Sequence, residues 1–344
     1  MKRRGIAVSS AVVAVAAALI LAGCSGGEKT ASPSASATAP ANTATSAVMY
    51  SSNNATTVGV VVKAAAAVSP SLKVEAVTGS SGPLLQRIKS EAGKNSADVF
   101  YSAPADVLGA YADMIEPYKS SEESAIPKDI LDPKDRWIPT NTHIVALMVN
   151  IDQIPGGAAP AKWSDLTDAK WKGKIIVADP QQSTTALTAL YGAYKVLGKD
   201  GFQKLSANLK VAANSGDVYP GVANGEYAVG IGYESNIAPY IAGGQAGVKI
   251  VYPKDGTFQE QDRAILIKGS AHLDGGKRVI DTILAKKTQE QLLVQAFRRP
   301  VRSDIDVSKL VEFLPKLSSL KLVDIHSASD DKGREDFLTL WKTR

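Results

Sequence analysis

The chain has 344 residues, of which 44% are hydrophobic and 21% charged, with 28 glycines and 17 prolines. This composition is that of an ordinary soluble protein, and it excludes collagen-like, coiled-coil, wholly disordered and polytopic membrane proteins. The formal charge is +5, but three basic residues lie in a leader, and without them 36 basic residues stand against 34 acidic ones. Such a balance gives no basis for nucleic-acid binding, and we expect none. The length suggests two domains or two lobes.

The N-terminus has the three parts of a secretory signal. Positive residues 2–4 precede a short apolar run at 6–21, and Leu-Ala-Gly then leads into Cys24. We therefore predict a signal peptide over residues 1–23. The segment around Cys24 resembles the lipobox of bacterial lipoproteins, and the resemblance implies cleavage before Cys24 and a lipid on its sulfur. The alternative is a transmembrane anchor, for which the apolar run is short.

Composition changes abruptly after Cys24. Residues 24–46 are almost all Ala, Ser, Thr, Pro and Gly, and such a segment cannot bury enough apolar surface to fold. We interpret it as a flexible linker and expect the folded part to begin near Ala47. Cys24 is the only cysteine, so no disulfide or thiolate site is expected within the folded part.

Strand and helix patterns alternate along the folded part. Apolar runs and turn signals predict strands and helices in the following chain order. Strands are expected at 47–51, 72–78, 98–101, 143–150, 174–179, 228–232, 249–252 and 264–268, and helices at 55–68, 83–92, 105–114, 184–197, 275–285 and 289–296. This alternation predicts an α/β fold with parallel strands.

Small polar residues follow four of the predicted strands, where helices begin. Helix N-termini offer unpaired N–H groups and a partial positive charge, so such turns suit an anion or a polyol. Taken singly, each turn is more simply explained by helix capping. Because the turns supply more polar residues than caps need, we predict a shared ligand site formed by Ser51, Ser52, Asn53, Ser80, Ser81, Gly82, Ser102, Ser183, Thr184 and Thr185.

A few larger side chains are weaker candidates. Tyr219 could stack on a ligand or pack in the core, and Tyr233 with Glu234 could contact the ligand or begin the next helix. His143 begins an apolar strand, and we interpret it as an interior histidine, with ligand contact as the alternative. The pair at 298–299 is most simply read as solvated charge.

Signatures of the common enzyme and metal classes are missing from the sequence. It has no P-loop, no strand-linked G-x-G-x-x-G and no G-x-S-x-G elbow. Three scattered histidines and one cysteine give no zinc spacing. We therefore predict neither an enzyme nor a cofactor, and no metal site.

Several segments, in this order along the chain, resemble the solute-binding proteins of bacterial ABC importers, in the branch with ferric-iron, hexose-phosphate, aminoethylphosphonate and thiamine binders. The similarity runs from about residue 47 to 302. The segments are Tyr50-Ser51-Ser52, SGPLLQRIKSE at 81–91, ADVF at 97–100, KWSDL at 162–166, WKGKI at 171–175, ADP at 178–180, PGVANGEYAVG at 220–230 and RPVR at 299–302.

The resemblance implies a two-lobe, type II periplasmic-binding-protein fold with a ligand cleft and two crossing strands. Lobe one would comprise residues 47–142 and 256–344, and lobe two residues 143–255. It also implies a monomer that works with an ABC permease and ATPase, exported and lipid-anchored at the outer face of the cell membrane or in the periplasm.

The resemblance also bears on the ligand. Iron-binding relatives usually carry a tyrosine pair where this sequence has Ser235 and Asn236, a histidine near Asn54 and a glutamate near Ala103. Ferric iron prefers anionic oxygens, and most of those ligands are missing from this sequence. Because the helix starts are rich in donors, we expect a small polar anion of the organic phosphate or phosphonate class. Ferric iron is the alternative, since Tyr219 and Tyr233 remain.

Overall fold

The computed structural model describes residues 45–91, 97–103, 108–154 and 157–343. The predicted signal peptide, Cys24 and the linker up to residue 44 lie outside the described residues. All the described residues belong to one compact unit, Asn42–Arg344. Within this part of the chain, no helix is both long and apolar enough to cross a membrane.

Ten strands of the described chain form one mixed sheet. Strand β5 is the longest, and all 13 of its residues are buried. The strands are β1 (Thr45–Ser51), β2 (Leu72–Thr78), β3 (Val99–Ala103), β4 (Ile115–Glu116), β5 (Ile138–Asn150), β6 (Ile175–Ala178), β7 (Leu209–Ala212), β8 (Val229–Tyr233), β9 (Val248–Val251) and β10 (Gln259–Ile267).

Helices connect most of these strands, with short 3₁₀ helices elsewhere. The α-helices of the described chain are α1 (Ala55–Val68), α2 (Ser81–Ser90), α3 (Thr184–Asn208), α4 (Val218–Ala223), α5 (Glu234–Ala242), α6 (Leu273–Leu284), α7 (Lys286–Ala296), α8 (Val307–Leu310) and α9 (Ala328–Lys342). Local chemistry sets several of their ends. The Asn54 side chain caps α1 by accepting from the Thr57 amide at 3.0 Å. Helix α3 breaks at Gly198, which has φ +67° and follows the predicted helix end at residue 197.

The sheet order is β2-β1-β3-β10-β5-β8-β6-β7. Strands β1, β2 and β3 pair in parallel, as do β6, β7 and β8. The central strands differ from the parallel prediction, because β10 is antiparallel to β3 and β5, and β5 is antiparallel to β8. Strand β5 pairs with β10 through its first half and with β8 and β9 through its second half. Strands β5 and β10 therefore connect the two halves of the molecule.

Each half has its own apolar core. In the first lobe, residues of β1 and β3 pack with α1 and α6, with Val99 and Ile280 at the centre. In the second lobe, β6 and β8 pack with α3 around Trp163 and Phe202. The last helix joins this second core through Trp341. For that helix the packing differs from the predicted boundary, which assigned residues 256–344 to the first lobe.

Candidate functional site

The polar turns converge where the crossing strands meet. Strand ends of both lobes lead into the N-termini of α1, α2, α3 and α5, and between them lies a cavity of about 280 Å³. Helix N-termini aimed at one space favour an anion there. The residues that line the cavity are Ser52, Asn53, Ser80, Ser81, Ser102, His143, Thr184, Thr185, Tyr233, Asn236, Glu260, Asp262 and Arg298.

The cavity brings together eight of the thirteen residues predicted from the sequence. They come from both lobes, which is what a ligand held between lobes requires. The eight are Ser52, Asn53, Ser80, Ser81, Ser102, Thr184, Thr185 and Tyr233.

The structure places three of the other predicted residues away from the cavity wall. Ser51 is fully buried, and its Oγ accepts from the Asn53 amide at 3.1 Å. Ser183 caps α3 by accepting from the Ala186 amide at 3.2 Å. Gly82 lies exposed in the first turn of α2. The capping alternative describes the observed contact of Ser183, whereas Ser51 ends β1 and its contact lies within the turn before α1.

Glu234 has a structural partner instead of a place on the cavity wall. It is 1% exposed, and its two carboxylate oxygens each accept from Arg299 at 2.7 Å, with Tyr252 also donating to one of them. The reading of Arg299 as solvated charge was wrong, since Arg299 is also only 1% exposed. This ion pair joins the start of α5 to the segment after α7.

Tyr219 does not line the cavity but contacts two residues that do. Its Oη accepts from the Tyr233 amide at 3.3 Å and from Asn236 Nδ2 at 3.0 Å. Burial raises the pKa of Tyr219, so its hydroxyl stays protonated at neutral pH. The same side chain lines a second cavity beside the first.

Ser102 shows local strain at the cavity. It has φ +79°, a conformation that costs energy for a residue with a Cβ. Its carbonyl oxygen accepts from Ser52 Oγ at 2.6 Å, which ties the end of β3 to the end of β1. Strand β10 bulges opposite, between Arg263 and Ala264. Strained backbone of this kind is found at binding sites, where the surrounding structure enforces it.

Five lining residues were not among the predicted site residues: His143, Asn236, Glu260, Asp262 and Arg298. Three of them, His143, Glu260 and Asp262, lie within the crossing strands, whereas the predicted site was formed mainly by the turns that follow strands. The register pairs His143 with Glu260 and Asn141 with Asp262, so the alternating side chains share one face. The sequence signal that could have pointed to Glu260 and Asp262 is the polar run 260–263, which directly precedes the predicted apolar strand at 264–268.

His143 links the crossing strands to the second lobe. Its Nε2 lies 2.9 Å from Asp262 Oδ2, and its Nδ1 lies 3.3 Å from Ser235 Oγ. Its ring stacks on Tyr233, with centroids 4.5 Å apart and planes 10° apart. Burial raises the pKa of Tyr233, and its Oη donates to Thr188 at 3.2 Å. His143 is thus both an interior histidine and part of the cavity wall.

Asp262 remains ionised despite its burial. Burial alone would raise its pKa, but His143, Arg298 and a hydrogen bond from Ser102 lower the pKa well below its ordinary value. Because the carboxylate is ionised, His143 Nε2 carries a proton and donates to it. The pair fixes the ring that faces Arg298.

Arg298 is a buried cation with no carboxylate in direct contact, although it acts over a longer distance on Asp262 and lowers the pKa of that carboxylate. It is 8% exposed, and no carboxylate oxygen of the described residues lies within 4.0 Å of its guanidinium. Its hydrogen-bond contacts are long, from 3.3 to 3.4 Å, to His143, Ser235 and Thr57. The reading as solvated charge was therefore wrong for Arg298 too. A buried unpaired charge is unfavourable unless a counter-charge arrives.

Two further polar groups near the cavity lack partners. Asn53 lines the cavity and is 5% exposed, and its Nδ2 has no hydrogen-bond acceptor. The Tyr101 hydroxyl is buried and unpaired, and burial raises the pKa of Tyr101. Asn53 thus holds an unused donor in the cavity wall. Within the described ranges, no three His, Cys, Asp or Glu residues cluster as metal ligands would.

Two lobes joined by crossing strands, with a polar cavity at the crossing, define a type II periplasmic binding protein. A model of the bacterial extracellular solute-binding proteins matches residues 94–326. The chain therefore belongs to the bacterial extracellular solute-binding proteins. Its role is to bind a small-molecule solute for an ABC transporter, without catalysing a reaction.

Individual proteins show the same relationship. The chain is 27% identical over 258 residues to a putative 2-aminoethylphosphonate-binding periplasmic protein of Salmonella typhimurium, covering 69% of this chain and 72% of that one. Its fold is similar to that of the periplasmic binding protein AfuA of Actinobacillus pleuropneumoniae with fructose-6-phosphate bound, at 27% identity and a TM-score of 0.72, covering 86% and 97%. Iron-bound HitA of Pseudomonas aeruginosa shares the fold at 19% identity and a TM-score of 0.73, covering 87% and 99%.

Proposed function

We propose that this chain captures a small anion of the organic phosphate or phosphonate class in the cavity between its lobes. The observation that carries the proposal is Arg298, a buried guanidinium that lines the cavity without a carboxylate partner. A bound phosphate or phosphonate would supply the missing negative charge and accept charge-assisted hydrogen bonds. The relatives named for 2-aminoethylphosphonate and fructose-6-phosphate bind ligands of this class.

Donors from both lobes complete the anion site. In the first lobe Ser80 and Ser81 begin α2, and the Ser80 side chain makes no capping hydrogen bond of its own. In the second lobe Thr184 and Thr185 begin α3. A ligand that accepts from both sets favours a closed arrangement of the lobes over an open one. Closure by hinge bending at β5 and β10 is therefore part of the proposal.

The lobe boundaries remain part of this proposal. We assign residues 47–142 and the chain from 256 to lobe one, and 143–255 to lobe two, with the last helix packed on lobe two. We further propose that the protein is a monomer held to the outer face of the membrane by lipid on Cys24.

Ferric iron is the second candidate, and the tyrosines bear on it. Iron sites of this kind need ionised phenol oxygens, whereas burial raises the pKa of both Tyr219 and Tyr233. Tyr219 Oη already accepts two hydrogen bonds, and Tyr233 Oη donates to Thr188. A ferric ion would have to displace these contacts, and no cluster of three His, Cys, Asp or Glu residues lies among the described residues to complete its coordination. The arrangement therefore favours the anion.

The two candidates are separated by thermal unfolding of the purified protein with inorganic phosphate, 2-aminoethylphosphonate, glycerol 3-phosphate or ferric citrate. A ligand that binds the native state raises Tm with its concentration. We expect at least one phosphate or phosphonate to do so, with no charge-transfer colour on iron loading. A rise in Tm with ferric citrate alone, together with visible colour, would establish iron instead.

A further inference from the structure

A second cavity adjoins the anion site. It has a volume of about 410 Å³ and shares Asn236 with the first cavity. Ser235 stands at the same boundary, since it lines the second cavity while its Oγ lies 3.4 Å from Arg298 Nη1. We call this second cavity the tail compartment. Its lining residues are Asn54, Thr56, Ser215, Gly216, Tyr219, Ser235, Asn236, Pro239, Tyr240, Gln295, Ala296 and Phe297.

The walls of the tail compartment come from both lobes. Asn54 at the start of α1 and Phe297 at the end of α7 belong to the first lobe. Ser215, Tyr219 and Tyr240 belong to the second lobe. The compartment therefore continues the cleft outward from the anion site, and a molecule long enough to pass Asn236 would occupy both.

The tail compartment differs from the anion site in charge. None of the described residues that line it is Asp, Glu, Lys, Arg or His. Burial raises the pKa of Tyr219 and of Tyr240, so both phenols stay neutral. Neutral amides and hydroxyls next to aromatic rings suit a hydroxylated, uncharged group. A charged group would lose its hydration there without gaining an ionic partner.

The carboxylates of the anion site are already engaged. Glu260 Oε1 lies 3.2 Å from Arg263 Nη1, and Glu260 Oε2 lies 3.3 Å from His326 Nε2. Asp262 accepts from His143, as described above. An ammonium group on the ligand would have to compete with these partners. Arg298 is the charged group of the cavity wall whose side chain has no salt bridge within 4.0 Å among the described residues.

We propose that the ligand is an anion with an uncharged, hydroxyl-bearing tail, and that the tail lies in the compartment beyond Asn236. This inference rests on the proposed function, because it takes the anion to be held at Arg298. It adds that the tail carries no charge and that the tail compartment, rather than the anion site, distinguishes one phosphate or phosphonate from another.

Calorimetry with four probes tests the tail's chemistry. Inorganic phosphate fills the anion site alone, and glycerol 3-phosphate adds a hydroxylated tail. The other two probes are similar in size and shape: 2-hydroxyethylphosphonate ends in a neutral hydroxyl, and 2-aminoethylphosphonate ends in a charged ammonium group. We expect glycerol 3-phosphate to bind at least about tenfold more tightly than phosphate, and the hydroxyl compound to bind more tightly than the amino compound.

Variants that fill the compartment test its location. Ala296→Phe on α7 and Ser215→Phe on the opposite wall should each remove the advantage of glycerol 3-phosphate and leave the affinity for inorganic phosphate unchanged. The control is Val294→Phe, on the same helix at a side chain that is 48% exposed and lines neither cavity. Retained phosphate binding shows in each case that the variant is folded.

The remaining outcomes separate two failures. The assignment of the tail compartment is overturned if phosphate binds and glycerol 3-phosphate binds no more tightly. It is also overturned if both filled variants still bind glycerol 3-phosphate more tightly than phosphate. In either case the proposed function stands. Tighter binding of the amino compound than of the hydroxyl compound overturns the uncharged tail. If none of the four probes binds, the proposed function is overturned, and this inference with it.

Discussion

Arg298 and Arg299 are neighbours in the chain, yet only Arg299 has a carboxylate partner. Arg299 meets Glu234 through Nε and Nη2, both at 2.7 Å, and the two side chains are each 1% exposed. Arg298 lines the proposed anion site, and no carboxylate oxygen of the described chain lies within 4.0 Å of its guanidinium. Arg299 therefore has a partner within the fold, whereas Arg298 is the cation that we propose to pair with a ligand anion.

Replacing Arg298 should impair binding without harming the fold. For Arg298→Gln we expect the affinity for glycerol 3-phosphate to fall roughly 10- to 100-fold, because a charge-assisted hydrogen bond contributes about 1.5–3 kcal/mol. The free energy of unfolding should change little, because Arg298 makes no direct salt bridge and only its longer-range interaction with Asp262 is lost. Calorimetry and urea unfolding measure the two effects. The control is Arg278→Gln, at an exposed arginine outside the cavity, and equal binding by Arg298→Gln would contradict the assignment.

Replacing Arg299 should have the opposite effect. Arg299→Met leaves Glu234 buried without its cation, and we expect the free energy of unfolding to fall by about 3–5 kcal/mol. Adding Glu234→Leu should recover part of that loss, because the unpaired carboxylate is then gone. Urea unfolding of the two single variants and the double variant measures the coupling. Additive losses would show that the two side chains do not depend on each other.

The contact between α9 and α3 should depend on pH through Asp330. Burial would raise the pKa of Asp330, but hydrogen bonds from Lys195, Ser327 and Tyr191 lower it well below the ordinary value of 3.8. A lowered folded-state pKa contributes stability above 3.8, and that stability is lost as the pH falls below it. We expect Asp330→Asn to be less stable at pH 7 by about 1–3 kcal/mol and to lose less stability on acidification.

The control for that experiment is Asp336→Asn, at a carboxylate on the same helix whose side chain is 67% exposed. Its stability should follow the wild type at both pH values. Thermal unfolding between pH 7 and pH 3 provides the measurement, and parallel curves for wild type and Asp330→Asn would remove Asp330 as the cause.

Two glycine substitutions should change the free energy of unfolding in opposite directions. A Cβ on Gly275 in α6 would lie 2.0 Å from the Ser46 carbonyl oxygen, so Gly275→Ala must push α6 away from β1. We expect a loss of about 1–3 kcal/mol. A Cβ on Gly59 in α1 meets nothing within 4 Å, and Gly59→Ala should stabilise the protein by about 0.4–1 kcal/mol. Denaturant midpoints compare the two, and similar midpoints would contradict the packing of α6 on β1.

The sequence predicted the local elements closely where local signals are strong. Helix α1 and strand β2 have the predicted bounds, because an asparagine cap and a proline-containing turn mark them in the chain. The polar turns were also recognisable, since helix starts and strand ends are read from nearby residues. Eight of the thirteen predicted residues line one cavity, and a ligand held there stays a prediction.

The sequence by itself therefore determined the α/β elements, the polar helix starts and the resemblance to solute-binding proteins. Only the tertiary structure decided which charges are paired. Arg298 meets His143 across 155 residues of chain, and Glu234 meets Arg299 across 65. Ionic partnership depends on distances of a few ångströms between remote segments, and no local pattern contains that information. The resemblance implied two crossing strands, but their antiparallel pairing, and with it the face on which Glu260 and Asp262 lie, became visible only in the fold.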